Sequence, residues 1–332
     1  MTHPELLAPA GDLEKLETAI AYGADAVYVG GERFGLRAAA GNFSLPQLGQ
    51  ARELTRQAGR RLYLTLNASL RPDELPAFAD YLQELVPLDL DAYIVSDPGA
   101  VALVRRLDPG RPLHLSTQAN TTNPEAVRFW QAAGVQRFNL ARELSLAEVG
   151  AIAEGTAAEL ELFVHGAMCV AWSGRCLLSA ALTGRSANRG ACTQPCRWRY
   201  ALMEESRPGE YLPIEEDAAG TYLFNSRDLC LVEHLPAILA AGVTSLKIEG
   251  RMKSRYYVAA VTRVYRAALD RWLADPQGWR CEPAWLEELA RVSHRPYSTG
   301  FLLGRGEAQV HAGDSRYRRS DTFVGVVEAL RP

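Results

Sequence analysis

Four thiols crowd into one stretch that carries no acidic residue: Cys169, Cys176, Cys192 and Cys196, within CVAWSGRCLLSAALTGRSANRGACTQPCRWRY. Six, fifteen and three residues separate them, and the whole chain has six cysteines. Thiolates are soft ligands, and four of them can hold zinc or an iron–sulfur cluster. Structural zinc usually draws on two short knuckles, and only Cys192 and Cys196 are spaced as one. The wide Cys169–Cys176 spacing therefore favours a 4Fe-4S cluster, with zinc or a disulfide as the alternatives. Arg175, Arg185, Arg189, Arg197 and Arg199 lie among the thiols. Their charge lowers thiol pKa values, offsets an anionic cluster and suits the phosphates of a nucleic acid, with Arg189 and Arg197 as candidate contacts. Cys230 is a substitute ligand or a buried helix thiol, and Cys281 stands alone.

A second group surrounds SLKIEG, where Leu246 and Ile248 alternate with Lys247 and Glu249. A strand with that alternation puts both charges on one face, where they must be paired or functional. Lys247 and Glu249 are thus candidate catalytic groups, or partners of another strand. Arg251 and Lys253, just beyond, are candidate phosphate contacts. Asn67, Gln118, Asn120 and Asn139 fall near other strand ends and read as a polar ring facing a ligand, or as turn formers. His165, four residues before Cys169, offers a Cys–His nucleophilic pair, although no protease signature surrounds it.

The elements that must position these residues repeat. A helix ends in Gly and a β-rich run follows in AIAYGADAVYVG, QAAGVQRFNLA and LAAGVTSLKIEG. Eight strands are predicted: Leu6–Ala10, Ala26–Gly30, Leu62–Asn67, Ala92–Ser96, Leu113–Gln118, Arg137–Ala141, Leu160–Val164 and Leu246–Glu249. Amphipathic stretches such as Leu48–Ala58, Asp73–Leu85, Pro124–Ala133 and Leu146–Glu154 lie between them. This alternation is that of an α/β, (β/α)8 TIM-barrel-like fold. A doubly wound sheet is the alternative, but PAGDLEK after the first strand is no phosphate-binding glycine loop. The barrel domain is expected over 1–275, with the cysteine insertion at 167–240 after strand seven, on the face where barrels build active sites. Residues 276–332 read as an extension ending in the first strand of a truncated β-domain. With a net charge of -3 and 48% hydrophobic residues, the chain is globular, and its basic clusters leave RNA open as a partner. The N-terminus lacks the pattern of a signal peptide and no apolar run spans a bilayer, so a cytoplasmic location is expected.

Long motifs now stand together. ELFVHGAMCVAWSGRCLLS resembles the signature of peptidase family U32, the collagenase-like peptidases. ANRGACTQPCRWRY, RPGEYLPIEEDAAGTYLFNSRDL and SLKIEGRMKSRYYV resemble those members that act in tRNA wobble-uridine hydroxylation. The resemblance implies a 4Fe-4S cluster on Cys169, Cys176, Cys192 and Cys196, tRNA as partner, 5-hydroxyuridine as product, and prephenate as a required metabolite. Other members of the family hydroxylate an rRNA cytidine, or ubiquinone precursors without oxygen. The family name also keeps a peptidase in view. Members of the tRNA type continue into a complete C-terminal β-domain, so a protein partner supplying that domain or electrons is a further expectation.

Overall fold

The computed structural model describes residues 3–36, 41–168, 176, 178–185, 187, 190–195 and 227–304, with the backbone of short strands between 202 and 222. Cys169, Cys196, Arg189 and Arg197 lie outside the described residues, as does the strand expected near the end of the chain. Eight parallel strands follow one another: β1 (Glu5–Pro9), β2 (Ala26–Gly30), β3 (Arg61–Leu66), β4 (Ala92–Val95), β5 (Leu113–Leu115), β6 (Arg137–Asn139), β7 (Glu159–Ala167) and β8 (Ser245–Ile248). Each pairs with its neighbour, and β8 pairs with both β7 and β1, which closes the barrel. The eight strands expected from the sequence are thus all present.

Local chemistry fixes where the chain turns. On the outside run α1 (Leu13–Ala21), α2 (Leu45–Gln57), α3 (Leu75–Leu85), α4 (Pro98–Leu107), α5 (Pro124–Ala132) and α6 (Leu146–Gly155). Five of these start on a side chain that accepts a backbone N–H: Asp12, Ser44, Asp97, Asn123 and Ser145. Each such cap satisfies an orphan donor of the first turn and is worth about 1 kcal/mol. The return to the next strand after α1 uses Gly23 at φ 95°, a left-handed conformation that a side chain disfavours. After β7 come α7 (Leu178–Thr183) and α8 (Leu235–Ala240), then β8, α9 (Arg255–Ala274) and α10 (Pro283–Arg291).

Two cores result from strand alternation. Val27, Leu62, Leu64, Phe138 and Leu246 point outward and pack with helix residues such as Leu16, Leu48, Val261 and Tyr265. The lumen holds a separate cluster of Leu7, Ala26, Tyr28, Tyr63, Ala92 and Ile94. Its other inward positions are polar or charged, which an ordinary barrel core, filled by branched apolar residues, does not require.

One irregularity shapes everything downstream. Lys247 of β8 pairs with Phe163, but the next residue, Ile248, pairs with His165, so Val164 is an extra residue in β7. A bulge of this kind re-aims side chains and bends its strand. The far end of β7 then takes a new antiparallel neighbour, the short strand Asp228–Cys230, which in turn pairs with Tyr297–Ser298. The buried pair of Arg295 Nε and Asp228 Oδ1, at 3.0 Å, fastens that annex. Through it, the segment after α10 is bound to the barrel. No helix among the described residues is long and apolar enough to cross a membrane.

Candidate active site at the barrel mouth

The inward faces of β1, β6, β7 and β8 supply a buried set of four charges, which Arg61 and Glu159 join at its more exposed end through Glu5 and Arg137. Glu161 Oε1 accepts from Lys247 Nζ at 2.7 Å, and its Oε2 lies 3.7 Å from Arg137. Arg137 also binds Glu5, whose Oε2 accepts from Tyr63 at 2.7 Å. Ser245 Oγ lies between the two carboxylates, 3.2 Å from Glu5 Oε1 and 3.3 Å from Glu161 Oε2, and can donate its one proton to either. Glu5, Arg137, Glu161 and Lys247 are each at most 5% exposed, so two anions offset two cations away from water. Burial costs such ions several kcal/mol each, and their mutual pairing offsets that cost. Lys247 Nζ further sits 4.6 Å from the Tyr28 ring centroid, a cation–π contact. His114 shares this lumen against Tyr63, and burial beside Arg137 and Lys247 holds its pKa well below the usual value, so it is neutral.

Above this layer the strand ends form the mouth. Arg142 follows β6, lies 3.9 Å over the Phe163 ring, donates to Ala167 O at 2.9 Å and approaches Glu249 at 3.8 Å. Arg251 is 5% exposed, and its guanidinium reaches across the mouth to Thr65 Oγ1 of β3 at 3.4 Å. Gly30, the last residue of β2, makes that reach feasible, because a Cβ there would collide with the guanidinium and with Asn42. Asn67 donates to Ser116 Oγ at 3.3 Å, and Asn139 is buried beside Glu161 on the next strand. Gln118 lies on a single turn after β5, with Asn120 at its end in the left-handed conformation. Both are half-exposed rim residues.

Of the residues expected from sequence, Lys247, Glu249, Arg251 and Asn67 therefore come together at the mouth. Lys247 and Glu249 are each paired across strands, to Glu161 and Arg142, and not with one another. Two expectations need correction. His165 does not face the mouth, and the cysteine expected to pair with it, Cys169, lies outside the described residues. The bulge turns it against α9, where Tyr257, Tyr265 and Tyr297 surround it with ring centroids 6.0, 5.6 and 5.2 Å away. Burial, reinforced by His294 and Lys253, pushes its pKa down to about 3. Lys253 also turns outward: its Nζ donates to Ser293 O at 2.9 Å and sits over the Tyr257 ring, so it does not join the phosphate rim. Cys230 is a strand residue opposite His165 and not a helix thiol, and burial raises its pKa to about 12.

Sequence reasoning missed Glu5, Arg137 and Glu161. A signal was present for Glu5, a lone charge in the otherwise apolar strand ELLAP; Glu161 and Arg137 share their strands with Glu159 and Asn139 and stand out less.

Two of the four clustered cysteines are described. Cys176 is half-buried, Cys192 is exposed, and neither is in a disulfide. Gln194, at φ 55°, donates its backbone N–H to Cys192 Sγ at 3.3 Å. Amide-to-sulfur bonds of this kind stabilise a thiolate and tune the potential of a bound cluster, so this donor set fits a soft metal centre. The segment is anchored over the barrel. Thr193 bonds Ser179 of α7, and a Cβ on Gly190 would lie 2.7 Å from Gly35 O in the loop after β2.

Comparison with known proteins bears on this arrangement. The model of peptidase family U32 matches residues 11–312. A tRNA hydroxylation protein P1 of Bacillus subtilis is 42% identical over 98% of this chain and 77% of its own length. A tRNA hydroxylation protein P of Escherichia coli is 40% identical over 98% of the chain and 80% of its own length. The 23S rRNA 5-hydroxycytidine C2501 synthase of Escherichia coli is 38% identical over 94% of the chain but only 47% of its own length.

Proposed function

The chain belongs to peptidase family U32, and on that premise we propose that it is an enzyme that hydroxylates a pyrimidine of RNA, specifically the wobble uridine of tRNA to 5-hydroxyuridine. The observation that carries this reading is near-full-length identity to two tRNA hydroxylation proteins. The rRNA hydroxycytidine synthase, which shares the matched region, supports the coarser statement that the barrel serves RNA hydroxylation. A peptidase would need an activated nucleophile, and the histidine nearest the cysteine cluster is enclosed by tyrosines on the far side of β7.

In this reading Cys169, Cys176, Cys192 and Cys196 hold a 4Fe-4S cluster, which would supply one-electron chemistry beside the mouth. The chain's own residues bind and orient. Arg251 and Arg142 give positive charge at the strand ends, suited to a nucleotide phosphate. Glu161 holds the Lys247 amine in place below them, where it can donate a hydrogen bond to a carbonyl of an entering base. Prephenate as required metabolite and a partner that donates electrons complete the proposal.

The test is mass spectrometry of tRNA nucleosides from a deletion strain of the source organism, complemented with wild-type or Arg251→Ala protein. Loss of 5-hydroxyuridine derivatives, restored by wild type alone, is the expected result. Unchanged uridine derivatives with lost rRNA 5-hydroxycytidine, or with a quinone defect, would replace the substrate.

A further inference from the structure

The inward faces of β3, β5 and β6 carry small polar groups that none of the barrel's ion pairs uses: Asn67, Ser116 and Asn139. Asn67 Nδ2 donates to Ser116 Oγ. Leu115 pairs with Phe138, so Ser116 and Asn139 fall side by side one step nearer the mouth. Asn139 is 2% exposed, and its Oδ1 has no hydrogen-bond partner. Asn67 Oδ1 is buried and unpartnered too. A buried amide oxygen is rarely left unpaired, and two on one arc mark a place built for an occupant.

The chemistry of the arc narrows that occupant. Two acceptor oxygens with Glu161 beside them repel an anion, so a phosphate or carboxylate belongs with Arg251 and Arg142 and not here. The opposite wall is filled by Tyr28, Lys247 and Phe163, and an eight-stranded lumen leaves little further room. The chemistry that primary amides can read is that of a small neutral ring with both donors and acceptors on its edge.

We propose that the Asn67–Ser116–Asn139 arc reads the hydrogen-bonding edge of one pyrimidine ring, turned out of its RNA strand into the barrel. The inference rests on the RNA reading above and assigns its base subsite. A base stacked in a strand cannot reach the lumen. The nucleotide must be extruded, which is least costly from a single-stranded loop.

Two RNA hairpins test this, identical except that one loop position carries uridine or an abasic sugar. Their binding to the full chain, purified anaerobically, is measured for wild type, Asn139→Leu and Asn67→Leu, with circular dichroism as the check on folding. Wild type is expected to prefer the uridine hairpin by about tenfold, the scale of one or two well-placed hydrogen bonds to a base edge. Each variant should bind the uridine hairpin only as well as the abasic one, with affinity for the abasic hairpin unchanged. Should one variant not fold, the other gives the same readout. Absence of a uridine preference in wild type, or its survival in the folded variants, overturns the subsite and leaves the arc holding only water. Failure of wild type to bind either hairpin overturns the RNA reading and the subsite with it.

Discussion

Replacing Glu161 by Gln should destabilise the protein more than replacing Glu161 and Lys247 together. The Lys247–Glu161 contact is 2.7 Å long and both groups are almost fully buried. At an effective dielectric of about 20, a pair at that distance attracts by about 6 kcal/mol, against desolvation of several kcal/mol per ion. The pair as a unit therefore contributes little, but either ion left alone retains its desolvation cost. Glu161→Gln strands Lys247 and removes one of the carboxylates facing Arg137, so a loss of about 3–5 kcal/mol is expected. Lys247→Met leaves Glu161 with Arg137 at 3.7 Å, and the expected loss is smaller, about 2 kcal/mol. The double variant keeps the balanced Glu5–Arg137 pair. It should fall more than about 2 kcal/mol short of the sum of the singles, and so lose less than Glu161→Gln alone, a coupling typical of residues in one network. Urea unfolding of the four proteins at one pH measures this. Additivity within about 0.5 kcal/mol would refute the buried-charge account of the lumen.

Three other outcomes follow from the same structure. His165 has an ordinary pKa of 6.5 and is held near 3 by burial, so it stays neutral in the folded chain. Its contribution to stability is complete above pH 6.5 and is lost as pH falls toward 3, at up to about 1.4 kcal/mol per pH unit. His165→Phe should flatten the fall of Tm between pH 6.5 and 4.5, and an unchanged slope would show that another group governs it. Gly30→Ala should displace the Arg251 guanidinium and weaken binding of a uridine-containing RNA hairpin by about tenfold, with little change in Tm, since the displaced group touches the mouth and not the core. Filter binding reads the first and calorimetry the second; unaltered binding would remove Arg251 from the RNA contacts. Cys176→Ser and Cys192→Ser should each reduce the iron and visible absorbance of anaerobically purified protein from about four irons per chain to less than half. A wild type that is colourless and iron-free would end the cluster assignment.

Much of the fold was legible because a parallel barrel writes itself as repeated local rules. A capping side chain starts most helices, glycine ends several, and β-branched or apolar runs mark strands buried on both faces. Lys247 was readable as inward-facing from the alternation of SLKIEG alone. Its partner was not, since alternation gives the face of a residue and not its neighbour. Glu161 lies on β7 and Glu5 on β1, and only closure of the barrel brings both to the same lumen. His165 was misread for a related reason. Its direction depends on a bulge set by pairing with β8, a strand about eighty residues later. Lys253 is drawn outward by the Tyr257 ring and a carbonyl of the segment after α10, contacts that its own rim position does not reveal.

The end of β7 also links the barrel to its cysteine segment. His165 pairs with Ile248 of β8 on one edge and with Cys230 on the other, so Asp228–Cys230 joins the edge of β7 that β6 leaves free beyond Glu161. The chain that leaves the end of β7 returns at Asp228–Cys230 on that edge. Arg142 covers the Phe163 ring and meets Glu249 at the mouth, while the segment bearing Cys192 comes against the loop after β2, at Gly35 and Leu36. A redox centre is most useful when it stands beside a reactant without occupying its place. On the proposed reading, the segment bearing Cys192 stands against the loop at Gly35 while the amides of Asn67 and Asn139 lie at the strand ends, so a cluster and a base would take separate places.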